Sequence, residues 1–223
     1  YLVDVFRSIG PDEGLGPDAT ARQLSDQGVA RLDRGELKAQ PGAEGKLRLT
    51  LADSYIALGE YPKADAELAR ARSLLPPSSV DDLAQVHLRQ GALRLAAEDL
   101  EGLQRKLDES DAWLRVHASS LAEPETFAAQ LQMSRANLRA HRERYDEATT
   151  LARGAWQRMR KARGDDDKHT RALLVEYADI LGSSGEFDTA ATLTKIVADG
   201  IRRAKPLNEF ALVFLVVVAI VVG

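Results

Sequence analysis

Four histidines, His87, His117, His141 and His169, are the first residues to weigh as metal ligands or proton carriers. They stand apart from one another, without a second histidine or a carboxylate at a ligand spacing, so no metal residue is expected. The chain has no cysteine. That excludes disulfide scaffolds, thiolate metal sites and cysteine nucleophiles, and leaves the compartment open. No GxxxxGK[ST], GxGxxG or GxSxG string occurs, and kinase catalytic motifs are absent, so there is neither a nucleotide cradle nor a serine elbow. Asp165, Asp166 and Asp167 lack the alternating ligands and closing glutamate of a calcium loop. Their placement just before a helix fits a favourable interaction with its dipole. The residues therefore predict no catalytic, cofactor-binding or metal site, and an activity of binding without turnover.

One charge asymmetry remains. Between positions 135 and 163 stand Arg135, Arg139, Arg142, Arg144, Arg153, Arg158, Arg160, Lys161 and Arg163, against Glu143, Asp146 and Glu147, in a chain whose net charge is −4. The run has two readings. It is a patch for an acidic protein or an anionic membrane surface, with Trp156 as an aromatic anchor, or it is a solvated helix face whose last arginines compensate the dipole. Nucleic acid is not expected, because no aromatic residues interleave the basic ones as a stacking platform would require.

The elements that must carry these residues are helices. Of the 223 residues 34 are Ala and 31 are Leu, while aromatics make up only 5%, which disfavours a sandwich or barrel. Ordinary apolar content, 44%, with a small net charge excludes a disordered chain.

Three phrases recur: Gly59-Glu-Tyr61-Pro-Lys-Ala64, Arg144-Tyr145-Asp-Glu-Ala148 and Gly185-Glu-Phe187-Asp-Thr-Ala190. From Ala148 to Ala190 is 42 residues, and from Ala64 to Ala148 twice that, so a degenerate copy is expected between, around Leu88 to Leu107. Each phrase lies between two stretches with helical apolar spacing, as in Leu47, Leu51, Tyr55 and Leu58 before Gly59 and Ala64, Leu68, Ala71 and Leu74 after it. Each unit therefore reads as a helix hairpin. Gly59 and Gly185 supply the left-handed residue of a helix C-terminus, and copies two and three lack it, having Glu98 and Glu143 instead.

Leu51, Ala52, Tyr55, Gly59, Tyr61, Ala64, Leu68, Ala71 and Pro76 together resemble the tetratricopeptide repeat. The period exceeds the family's usual length of about 34. It is similar to the extended variant of kinesin-light-chain-like bacterial repeats, whose linker Gly164 to Thr170 resembles. The resemblance implies an all-α fold: a right-handed solenoid of about four hairpins over residues 43–206. It also implies a groove for an extended peptide, lined by the first helix of each hairpin. Carried over by spacing, the groove residues are Leu49, Asp53, Ile56 and Ala57; then Met133, Asn137, Ala140 and His141; then Val175, Asp179 and Ser183. Of a carboxylate clamp only Asn137 is present, so that mode is not expected.

Residues 1–42 carry a second resemblance. Tyr1 to Phe6, Gly10-Pro11, Thr20 to Leu24, Gly28 to Leu32 and Gln40-Pro41 look like the segment preceding the repeats in bacterial membrane-anchored serine/threonine protein kinases. Thr20 with Gln23 predicts a capping box for a helix running to about Gln40, ended by Pro41-Gly42 and capping the stack. Residues 207–223 include an uninterrupted apolar stretch from Phe210, with Arg202, Arg203 and Lys205 before it. It reads as a truncated membrane span or as a buried final helix. The chain begins without Met and stops inside that stretch, so it reads as a fragment. The expectation is a membrane-associated protein-binding region of a kinase, on either side of the membrane. The alternative is a membrane-tethered scaffold without a kinase domain.

Overall fold

The computed structural model describes residues 20–203; the expected membrane span at 207–223 and the first nineteen residues lie outside them. Among the described residues there are nine α-helices and no strand. They are α1 (Ala21–Asp33), α2 (Pro41–Ala57), α3 (Tyr61–Leu74), α4 (Val80–Ala96), α5 (Leu100–His117), α6 (Pro124–His141), α7 (Tyr145–Arg163), α8 (Lys168–Ser183) and α9 (Phe187–Arg203). No helix among the described residues is long and apolar enough to cross a membrane. The expected all-helical class is observed, with helices packed in consecutive pairs.

The first helix begins as its sequence predicts. The Thr20 hydroxyl accepts from the Gln23 backbone N–H at 3.3 Å and the Gln23 side chain accepts from the Thr20 N–H at 2.9 Å, two otherwise orphaned donors satisfied at once. Its end differs from the expectation. The helix stops at Asp33, seven residues before Gln40, because Gly35 adopts φ +86° and turns the chain. Pro41 does not terminate α1; it is the first residue of α2, where its missing N–H costs nothing.

The four hairpin turns share one backbone geometry. Gly59, Glu98, Glu143 and Gly185 all have positive φ, 71°, 56°, 59° and 89°. At each, the turn residue's N–H donates to the carbonyl three residues back, and the next N–H donates five residues back. The pairs run to Ile56 and Tyr55, to Leu95 and Arg94, to Ala140 and Arg139, and to Gly182 and Leu181. This closes the orphaned carbonyls of a helix end. The second and third turns thus have the geometry of the first and fourth without their glycine. A glutamate held in the left-handed region costs about 1–2 kcal/mol.

Counted from the turn residue, the same positions are buried in successive hairpins. Seven before it stand Ala52, Gly91, Ala136 and Ala178; five after it Ala64, Leu103 and Ala148; nine after it Leu68, Leu107 and Ala152. In the first and third hairpins small residues stand at both of the first two offsets, Ala52 with Ala64 and Ala136 with Ala148, where the two helices pack closely. At Gly91 an added methyl group would lie 3.8 Å from Leu103. The stretch Leu88 to Leu107, where a degenerate copy is expected, spans the end of α4, the Glu98 turn and the start of α5.

The described residues divide into two compact units, with the boundary between Lys106 and Leu107. The first has a core of Leu49, Ala52, Tyr55, Ala64, Leu68, Ala71, Leu75, Val86 and Leu93. The second is built on Ala129, Ala136, Ala148, Ala152 and Ala155 with Met133 and Met159, closed by Leu173, Leu174, Tyr177, Ile180 and Leu181 of α8.

Candidate functional site

The first helices of successive hairpins touch, α2 with α4 in the first unit and α6 with α8 in the second. One polar pair in each couple stands at matching positions, and α2 and α4 are also joined by Lys46 and Asp82 at 3.2 Å. Arg89 of α4 donates through Nε to both oxygens of Asp53 of α2, at 2.8 and 2.9 Å. Asn137 of α6 donates to Glu176 Oε2 of α8 at 2.9 Å. Asp53 and Asn137 each stand six residues before their turn residue, and Arg89 and Glu176 nine before theirs. The two rungs are therefore the same contact in different chemistry. In the first it is a carboxylate and a guanidinium. In the second it is an amide and a carboxylate whose pKa burial pushes up, with Asp179 nearby adding to the rise and Asn137 opposing it.

The expected groove residues divide between core and surface. Leu49 and Met133 are core residues, 5% and 1% exposed, and offer a partner no surface. Ile56 and Ala140 pack half-buried against the two cores. Asp53 and Asn137 are occupied by their rungs. Ala57, His141, Val175, Asp179 and Ser183 are exposed, the last three along one stripe of α8. The rung partners Arg89 and Glu176 were missed by sequence reasoning; spacing from the turn residue is the signal that finds them.

The basic run is largely answered by the chain's own carboxylates. Arg139 pairs with Glu147 at 3.1 Å and Arg158 with Glu125 at 3.1 Å. Arg135 meets Asp111, Arg160 meets Asp165, and Arg163 meets Glu123 as well as Asp167, the last at 2.9 Å. Arg153 donates to the Tyr177 hydroxyl at 3.0 Å. Arg142 is half-buried and Lys161 exposed. Trp156 is half-buried beside Tyr177, centroids 6.4 Å apart, with the Arg160 guanidinium 5.5 Å from its ring centroid. Asp167 caps α8 by accepting from the His169 N–H at 2.8 Å, as an acidic residue at that terminus should.

A cavity of about 280 Å³ opens between α7, α8 and α9, walled by Trp156, Leu174, Ile196 and Val197. The two cations of its rim are held by the chain itself: Arg160 is bound by Asp165 and Arg171 by the Asp166 carbonyl. The histidines do not converge. His117 stacks on Trp113 at 4.5 Å, His87 is buried, and no group of metal-ligating side chains occurs among the described residues. No family model matches this sequence, and neither a curated protein nor a solved structure matches it.

Proposed function

We propose that this chain is a protein-binding module, a solenoid of tetratricopeptide-like hairpins whose first helices present side chains to a peptide or helical partner. The observation that carries the reading is the fourfold left-handed turn, with its two hydrogen bonds and its buried small residues at fixed offsets. Stacked hairpins leave side chains at regular intervals on a continuous surface, and that regularity suits an extended partner better than a small molecule. A screen of the purified chain against an immobilised peptide array tests this. Saturable binding is expected, with no hydrolysis of ATP; absence of any saturable binding refutes it.

The resemblance of residues 1–42 to the region before the repeats in membrane-anchored serine/threonine kinases extends the proposal. The module would then be the sensing or docking region of such a kinase, with residues 207–223 as a membrane contact. Sequencing the coding DNA upstream of Tyr1 decides it. A glycine-rich loop, a strand lysine and HRD- and DFG-type motifs are expected. A signal sequence directly upstream would instead make the module a tethered scaffold.

A further inference from the structure

The last hairpin leaves open what the earlier ones cover. Ten residues before the turn residue stand Leu49, 5% exposed, and Met133, 1% exposed, but Val175 is 41% exposed. Two after it, Tyr61 and Tyr145 are half-buried while Phe187 is 70% exposed. Six before it, Asp53 and Asn137 each meet a side chain of the following first helix. Asp179 has the same place on α8, and its carboxylate has no hydrogen bond or ion pair among the described residues.

We infer that the face of α8 and the start of α9 carrying Val175, Asp179 and Phe187 docks an amphipathic helix of a partner protein. That helix places a lysine or arginine against Asp179 and apolar side chains over Val175 and Phe187. The inference rests on the binding reading above and names its partner's chemistry. A helix fits because first helices meet the equivalent positions in both earlier cases. A basic residue fits because Asp179 repeats the position where Asp53 takes Arg89, and because exposed Glu186 and Asp188 flank Phe187. The chain's own next segment fits less well. One period of 42 beyond Glu176 falls on Val218, which would bury Asp179 against a valine with no counter-charge.

The test uses the full chain and two synthetic peptides, a leucine–lysine amphipathic helix of about 18 residues and its leucine–glutamate counterpart, followed by fluorescence anisotropy. Binding of the lysine peptide alone is expected. Asp179→Asn and Val175→Ser should each weaken it about tenfold or more, whereas Val116→Ser, at an exposed valine on α5, should leave it unchanged. Lysine-peptide binding that the α8 variants do not alter overturns this face but keeps the wider reading; no binding here or on the array removes both. Two other occupants are distinguishable because the chain has no cysteine. An intramolecular disulfide in Val175→Cys/Val218→Cys assigns the face to the chain's own segment. A concentration-dependent dimer abolished by Val175→Ser assigns it to a second copy. Either result overturns the proposal.

Discussion

The two units hold equivalent hairpins together with different chemistry. In the first, α1, α2 and α3 are tied by charge. Arg48, 4% exposed, donates to Glu44 and Glu67 at 2.7 Å and to Asp33 at 2.9 Å, and Arg70 also reaches Asp33 at 2.8 Å. Below this lattice Asp26 accepts from Tyr55 and Lys63, both at 2.6 Å. In the second unit, α6, α7 and α8 meet through alanines and two methionines, and the ion pairs lie outside that core. The same hairpin geometry thus tolerates a buried guanidinium or a core of alanines and methionines. What it requires is filled volume and paired charge, not particular residues.

The charged half is the more fragile to single changes. Arg48→Ala leaves buried Glu44 without its partner and buried Glu67 with Arg70 alone, at 3.3 Å, and should cost about 3–5 kcal/mol in urea unfolding. Replacing Arg48, Glu44 and Glu67 together by apolar residues of similar volume should recover most of that loss, since no unpaired charge remains. A loss in the triple variant as large as in Arg48→Ala would mean that the lattice contributes through its ionic bonds. Acid should act on the same region. Burial raises the Asp33 pKa, but the bonds from Arg48 and Arg70 outweigh it; Asp26 is lowered mainly by its bonds from Lys63 and Tyr55. Their contributions are complete above the ordinary aspartate range and vanish as pH falls through the lowered native values.

A second pair of substitutions sharpens the contrast at one position. Nine residues after the turn residue the first unit has Leu68 and the second Ala152, both fully buried. Leu68→Ala should leave a cavity and cost about 2–5 kcal/mol. Ala152→Leu should overpack and cost about 1–3 kcal/mol. If Ala152→Leu were neutral, the second core would contain room that its packing does not show.

Much of this architecture was legible in the sequence because apolar spacing and glycine carry it. Gly59 and Gly185 marked their turns, and Ala64, Ala148 and Ala190 their close approaches. Glu98 and Glu143 were placed at their turns by the repeat spacing alone, because a left-handed residue without glycine has no signature of its own; surrounding structure holds it there. Pro41 was misread because proline both stops one helix and starts the next. The basic run showed its charge but not its neutralisation, since Asp111 and Glu123 lie 24 and 40 residues from the arginines they meet. The exposed face of α8 was in part anticipated through Val175, Asp179 and Ser183. Its separation from buried Leu49 and Met133 depends on what packs beyond each helix, which spacing within one helix does not encode.

The glycine-free turns give the next prediction. Glu98→Gly and Glu143→Gly should each stabilise the fold by about 0.5–1 kcal/mol, since relief of the left-handed strain exceeds the added freedom of the unfolded chain. Gly59→Ala should move the opposite way by a similar amount. Thermal melts of the three variants check both signs at once. Destabilisation by both glycine substitutions would mean that the two glutamate side chains make contacts worth more than the backbone strain.

The smallest effect separates the two rungs. Glu176 is held above the ordinary glutamate range by burial, so the folded state binds its proton more tightly than the unfolded chain does. Stability linked to this group therefore grows as pH falls through its raised native value, and above that value the charged form is penalised in the fold. Glu176→Gln keeps an acceptor for Asn137 and removes the charge beside Asp179. At pH 7 it should raise Tm by about 1–3 °C, and the gain should shrink toward pH 4, where the native glutamate is protonated. Burial raises the pKa of the Asp53 carboxylate of the first rung as well, but there Arg89 opposes the rise, so Asp53→Asn should give a smaller gain at pH 7 than Glu176→Gln, because Arg89 loses its counter-charge. A Tm loss in Glu176→Gln at neutral pH would mean that this carboxylate has a cationic partner, and that the two rungs are alike in charge as well as in position.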